Sequence, residues 1–291
     1  MTAFDELMAF ERDTGALAQV AGRLGWDQEC MMPRGAATQR GEEAAAMEAV
    51  LHARRSDPRR AEWLDRAEAT GAPDAAGAAM LREVRRSLTR ATRVPARLSA
   101  ELARVTSLSQ GIWAEARAAE DVAAFLPTLA KVVALRREEA AALADGRDAY
   151  DALIDDYEPG ATGGEIAAMF DAMRPRLVAL RDRVLGADTP PALSGRFAAE
   201  GQLRLARALA GVFGYDFNRG RLDLAVHPFS SGSGTDVRIT TRVVEADPFN
   251  CLYSTIHEVG HACYEQAVDP AYALSPIGQG ASMGVHESQS R

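Results

Sequence analysis

"STIHEVGHACYEQ", residues 254–266, is the stretch around which the rest of the chain is read. Each residue of an α-helix advances about 100°, so His257 and His261, four apart, differ by only about 40° in projection. Both imidazoles therefore point the same way. Two nitrogens so placed can share one zinc ion, each at about 2.0–2.1 Å. Glu258 sits one residue further round, where its carboxylate can reach a water beside the ion without binding the ion itself. The flanking "YSTI" and "ACY" supply the amphipathic, half-buried helix that this chemistry needs.

The pattern H-E-x-x-H on a helix is a zinc-peptidase signature, with the glutamate as general base. A catalytic zinc takes three protein ligands and keeps one open position. One well-known continuation would need glycine at 264 and histidine at 267, where this chain has Tyr264 and Ala267. The third ligand must come from elsewhere. Glu265 continues the same helix and is expected too far along its axis. Asp269 lies in a turn and is not excluded by spacing. Glu287, in "HESQSR", falls on the next expected helix behind a connecting loop, and it is the favoured ligand.

Working outward, Asp247 reads as the N-cap of the motif helix, with Pro248 at its first position. Before it, "RLDLAVHPF" and "DVRITTRVV" alternate around "SSGSGT", a hairpin signal. On the second run Val237, Ile239, Thr241 and Val243 share one face; Asp236, Arg238, Thr240 and Arg242 share the other. The first two-thirds of the chain is dominated by Ala, Leu, Arg and Glu and reads as helix punctuated by Pro and Gly. Helices are expected from about Thr38, over 74–94, over 97–119 and 121–144, and after the turn at Glu158-Pro159-Gly160. In that last helix Ile166, Met169, Phe170 and Met173 recur at helical spacing and are expected to face a core. The fold expected is mainly α, a multi-helix zincin-like metallopeptidase with a small β-hairpin or sheet beside the motif helix, and a single domain spans 1–291.

Bulk properties narrow the function classes. With 47% hydrophobic and 25% charged residues in 291, a packed core is expected. No apolar run approaches the roughly 18–20 residues of a membrane span, and the N-terminus lacks the basic and apolar regions of a secretory signal. A formal charge of −8 argues against binding a nucleic-acid backbone. Cys30, Cys251 and Cys263 are an odd number with no C-x-x-C, which argues against a disulfide framework and fits a reducing, cytoplasmic setting with buried thiols.

Several segments together resemble the carboxypeptidase Taq family of metallocarboxypeptidases. "HPF" (227–229), "DVRIT" (236–240), "HEVGH" (257–261) and "HESQ" (286–289) occur in that family's order and near its spacings, and "GWDQECMMPRGAATQR" is similar to its N-terminal segment. The resemblance implies a mostly helical cytoplasmic enzyme, a homodimer, that releases single residues from peptide C-termini with Zn2+ or Co2+. It implies His257, His261 and Glu287 as metal ligands and Glu258 as catalytic acid/base. Two later family segments, Ile-Arg-x-x-Ala-Asp and Gly-x-x-Gln-Asp-x-His-Trp, do not occur in the 291 residues. The chain thus resembles the N-terminal three-fifths of such an enzyme, and it is expected to bind metal but to cleave weakly by itself.

The metal motif does not separate exo- from endopeptidases. A carboxypeptidase needs a cation for the substrate's terminal carboxylate, ideally a bidentate arginine. Arg238 and Arg242, on the polar face of the second expected strand, are the local candidates. His227, ahead of Pro228, is a candidate substrate contact or a turn residue, and His286, beside Glu287, a candidate for supporting the site or touching substrate. His52 is expected to be structural. The competing readings are an amino- or endopeptidase with the same zinc core and a non-catalytic helical dimerisation module.

Overall fold

The computed structural model describes residues 2–189, 191 and 193–291. Helices dominate, as expected: α1 (Ala3–Cys30), α2 (Ala37–Arg55), α3 (Pro58–Thr70), α4 (Ala75–Arg93), α5 (Ala96–Ala118), α6 (Val122–Ala144), α7 (Ala149–Ile154), α8 (Gly163–Leu185), α9 (Ala199–Val212), α10 (Pro248–Gln266) and α11 (Met283–Gln289). Their starts are written locally. Thr2 with Asp5 and Thr162 with Glu165 form reciprocal capping boxes on α1 and α8. Asp57, Asp74, Asp121 and Asp148 cap α3, α4, α6 and α7 through their carboxylates.

Two apolar clusters hold the helical part. Leu7 of α1, Leu64 of α3 and Leu81, Val84 and Leu88 of α4 form one; Leu98 and Leu102 of α5 with Leu143 of α6 and Ala152 of α7 form the other. Between α1 and α3 lies a buried ion pair. Arg60 grips Glu11 with Nε at 2.5 Å and Nη2 at 3.0 Å, and its Nη1 donates to the Arg55 carbonyl. His52 is structural, its Nε2 lying 2.8 Å from the Val94 carbonyl.

A third cluster seats the motif helix. The sheet has the order β1 (Leu222–Leu224), β3 (Asp236–Thr241), β2 (Ser230–Ser233). Val237 and Ile239 of β3 pack against Cys251, Val259 and Ala262 of α10 and Ala206 and Ala210 of α9. Thr255 donates to Thr241 Oγ1 at 3.1 Å, which ties α10 to β3 through buried hydroxyls. These α10 residues take the face opposite His257, so packing turns both imidazoles outward.

The structure corrects two expectations. The hairpin partner of β3 is not the run 221–229 but "SSGS" itself, antiparallel with Ser231 opposite Arg238. Leu222–Leu224 instead pairs parallel on the other edge, Leu222 opposite Ile239. The Gly/Ser segment can be a strand because Gly232 takes φ 90° where its backbone meets Asp236. β3 also ends at Thr241, and Thr240 is buried rather than on an open polar face.

The second correction concerns α8. Met169, Phe170 and Met173 are 55%, 50% and 44% exposed, and no residue of this helix is buried. It meets α7 at its N-terminus, where Gly163 N–H donates to Asp151, and then runs along the surface. Periodicity identifies which face of a helix is apolar; it carries no information about what covers that face.

Candidate metal centre

The motif helix begins as its sequence says, with Asp247 accepting from Phe249 N–H and Pro248 at the first position. His257 and His261 then face one another across one turn, Nε2 to Nε2 at 3.2 Å. Glu287 arrives from α11, with Oε2 3.8 Å from His257 Nε2 and Oε1 3.8 Å from His261 Nε2. All three ligand atoms lie within 4.8 Å of one another. Ligands at zinc distance in a tetrahedron stand roughly 3.3 Å apart, so the set fits a divalent ion with small side-chain adjustment. Two imidazoles and a carboxylate are donors suited to zinc and its first-row neighbours.

Glu258 lines the same cleft and is only 5% exposed. Burial, with the nearby charge of Glu287 adding to it, pushes its carboxyl up to about 7. Burial also holds the His261 imidazole below its ordinary value, with the neighbouring His257 acting in the same direction. Both shifts favour the neutral forms, an imidazole with its lone pair free and a carboxyl carrying its proton.

α11 has only seven residues and none is buried, so its position depends on its neighbours. Three contacts set it. Glu158 Oε2 accepts from Gly284 N–H at 2.9 Å, the Tyr157 carbonyl accepts from Met283 N–H at 2.8 Å, and Ser282 caps the helix. Against α10 it lies so close to Gly260 that a Cβ there would run into the Gln289 carbonyl and come 2.6 Å from Ser290 Cα. Gly260 and Glu158 thus matter to the site, and sequence reading passed over them. The glycine inside "HEVGH" was the available signal, but its meaning depends on a helix that folds back later.

The metal centre opens into a cleft of about 760 Å³ that includes His227, Ser230, Pro276 and Met283. Through Glu83, Arg86, Asp156, Pro276 and Gln279 it continues into a second cleft of about 880 Å³ between the N-terminal helices. Of the candidate substrate residues, His227 and His286 line the first cleft. Arg238 and Arg242 do not. Arg238 binds Asp236 through Nε at 2.8 Å and Nη2 at 3.0 Å and lies 4.3 Å over the Trp26 ring of α1. Arg242 lies beyond β3, and its Nε donates to Asn250 at 2.8 Å. The outward face of β3 meets α1 at Arg238, and Arg242, past the end of the strand, turns to Asn250 of α10, so strand alternation misplaced both.

Glu265 is not a ligand. Its Oε1 lies 2.7 Å from His286 Nε2, and His286 Nδ1 lies 3.1 Å from His261 Nδ1. Cys251 is buried, Cys30 and Cys263 are half-buried, and all three are free thiols. Among the described residues no helix is long and apolar enough to cross a membrane.

Comparison with known proteins identifies the family of the chain. The model of the carboxypeptidase Taq (M32) metallopeptidase family matches residues 6–291. Thermostable carboxypeptidase 1 of Thermus thermophilus is 40% identical over 306 residues, covering 99% of this chain and 60% of that protein. Its Pyrococcus furiosus counterpart is 31% identical over 292 residues, covering 98% and 58%. The crystal structure of the M32 carboxypeptidase from Deinococcus radiodurans R1 superposes with a TM-score of 0.87 at 38% identity, covering 99% of this chain and 59% of that one. The chain therefore spans about three-fifths of the length of these relatives. Placed beside the helix that presents His257 and His261, these matches show that the chain belongs to the carboxypeptidase Taq (M32) family of metallopeptidases.

Proposed function

We propose that this chain carries the metal centre of a zinc-dependent carboxypeptidase that releases single residues from peptide C-termini. One observation supports the reading above all: His257, His261 and Glu287 converge to within 4.8 Å beside the buried carboxyl of Glu258. The names of the relatives support the carboxypeptidase specificity. His257, His261 and Glu287 would hold Zn2+, with Co2+ as an alternative of the same donor preference. A divalent ion there supplies a Lewis acid that acidifies water and polarises a carbonyl.

The residues of the chain do the rest. Glu258 accepts a proton from the attacking water as the oxygen–carbon bond forms, then delivers it to the amine as the carbon–nitrogen bond breaks. His227, on the cleft wall, is the substrate contact in this reading. The cytoplasmic homodimer implied by the family resemblance belongs to the same proposal, as does a single metallopeptidase domain.

The test uses the zinc-loaded 291-residue chain. N-blocked dipeptides, N-free peptides and internally quenched peptides are assayed side by side. Slow release of the C-terminal residue from the blocked dipeptide, abolished in Glu258→Gln with zinc retained, is the expected result. Preference for N-free or internal bonds would move the assignment to an amino- or endopeptidase. Near-native turnover by Glu258→Gln would remove its role.

A further inference from the structure

Behind the metal ligands lies a polar chain that the hydrolytic reading does not use. Glu265, 7% exposed, sits one turn beyond His261 on α10. Its Oε1 accepts from Gly280 N–H at 2.9 Å and from His286 Nε2 at 2.7 Å. The other nitrogen of His286, Nδ1, faces Nδ1 of His261 at 3.1 Å. Tyr264 packs edge-on against the His286 ring at 4.9 Å between centroids and accepts from Ala281 N–H, which walls one side of the ring. Gly280 makes the room: a Cβ there would lie 2.5 Å from His286 Nε2 and 2.8 Å from Glu265 Oε1.

We infer that Glu265 and His286 are positioning residues that fix the tautomer and the aim of His261. The polarity runs in one direction. A carboxylate accepts only, so Nε2 of His286 carries the proton. In the neutral ring Nδ1 of His286 is then an acceptor, and the group facing it must donate. That group is Nδ1–H of His261. The lone pair of His261 is thereby assigned to Nε2, the nitrogen that faces His257 and Glu287. α11 therefore supplies two functions from adjacent residues: Glu287 as a ligand in front and His286 as the support behind. Ligand histidines whose second nitrogen is held in this way bind metal more tightly, and loss of the partner weakens binding by roughly 10–100-fold.

This inference rests on the metal-site reading above, and its test separates the two. Zinc affinity is measured by chelator competition for the wild-type chain and for Glu265→Leu, Glu265→Gln and His286→Phe. Selective ¹⁵N-histidine NMR of the wild-type chain, with and without zinc, reads the tautomer of His261. The expected result is a proton on His261 Nδ1 in both states. Affinity is expected to fall roughly 10–100-fold in Glu265→Leu and His286→Phe and to recover most of the way in Glu265→Gln, whose amide oxygen still accepts. A His261 proton on Nε2 in the metal-free wild type, or folded leucine and phenylalanine variants binding zinc as tightly as wild type, would overturn the inference. Should wild type take up no zinc, the metal-site reading fails by itself, and the NMR tautomer still decides the pairing. The NMR readout also decides it if a variant does not fold.

Discussion

Gly260 and Gln289 touch backbone to backbone: the missing side chain at 260 is what lets the end of α11 rest on the motif helix. Glu287 is two residues from that contact. The approach of Glu287 to the two histidines therefore depends on an absence of atoms at the position between them.

Gly260→Ala should separate stability from metal binding. Alanine favours the helix interior over glycine by about 1 kcal/mol, so α10 itself gains. The added methyl pushes α11 and Glu287 outward. Zinc affinity is expected to drop at least about tenfold, while the metal-free melting temperature holds or falls only slightly. Titration calorimetry with zinc and thermal melts in chelator measure the two effects. Unchanged affinity would mean that α11 yields without moving its glutamate.

The Glu258 carboxyl should make the metal-free protein pH-sensitive. Its folded pKa, about 7, stands above the ordinary carboxyl value because of burial. The folded state therefore prefers the protonated form. The stability it contributes is complete below the ordinary value near 4.5 and is lost as pH rises through about 7. Glu258→Gln keeps a neutral side chain at every pH. In chelator at pH 8 it should be more stable than wild type by on the order of 2 kcal/mol, and the difference should vanish near pH 4. Urea unfolding at both pH values is the measurement.

The Arg60–Glu11 pair should be costly to halve. With Arg60 1% and Glu11 8% exposed, Glu11→Ala leaves a guanidinium buried without its partner. The expected loss is about 3–5 kcal/mol. Replacing both residues by apolar side chains, Glu11→Leu with Arg60→Met, should recover most of it. Denaturant unfolding of the two variants checks this; equal losses would show that the site cannot repack.

Arg238→Ala is expected to act on stability and not on substrate. Its guanidinium joins Asp236 to the face of Trp26, holding β3 against α1. A loss of about 1–2 kcal/mol in stability is expected, with an unchanged KM for the blocked dipeptide. A raised KM at constant stability would return Arg238 to the cleft.

On α8, Phe170→Gln with Leu177→Gln should cost this chain less than about 0.5 kcal/mol, since both side chains are half exposed. Thermal unfolding of the double variant is the check, and a larger loss would mean that this face is covered in solution.

What was legible in the sequence was whatever depends on a few neighbouring residues. Helical geometry alone aims His257 and His261 together, Asp247 and Pro248 start their helix, and the alanine-rich segments form the helices expected of them. The two histidines and Glu258 could be read as a metal-activating unit because they lie within about one helical turn of each other. Tertiary structure decided the remainder. Glu287 reaches the site only because α11 folds back over Gly260 and is held by Glu158, 126 residues away along the chain. Glu265, a ligand candidate by composition, acts through His286 because the two approach across Gly280. Arg238 left the cleft because α1 covers its side of β3, and the β-pairing changed partners because glycine allows "SSGS" a strand that no apolar alternation announces. Local spacing sets the direction in which a side chain leaves the backbone; which group waits there is set by contacts between distant segments, and no local pattern encodes those.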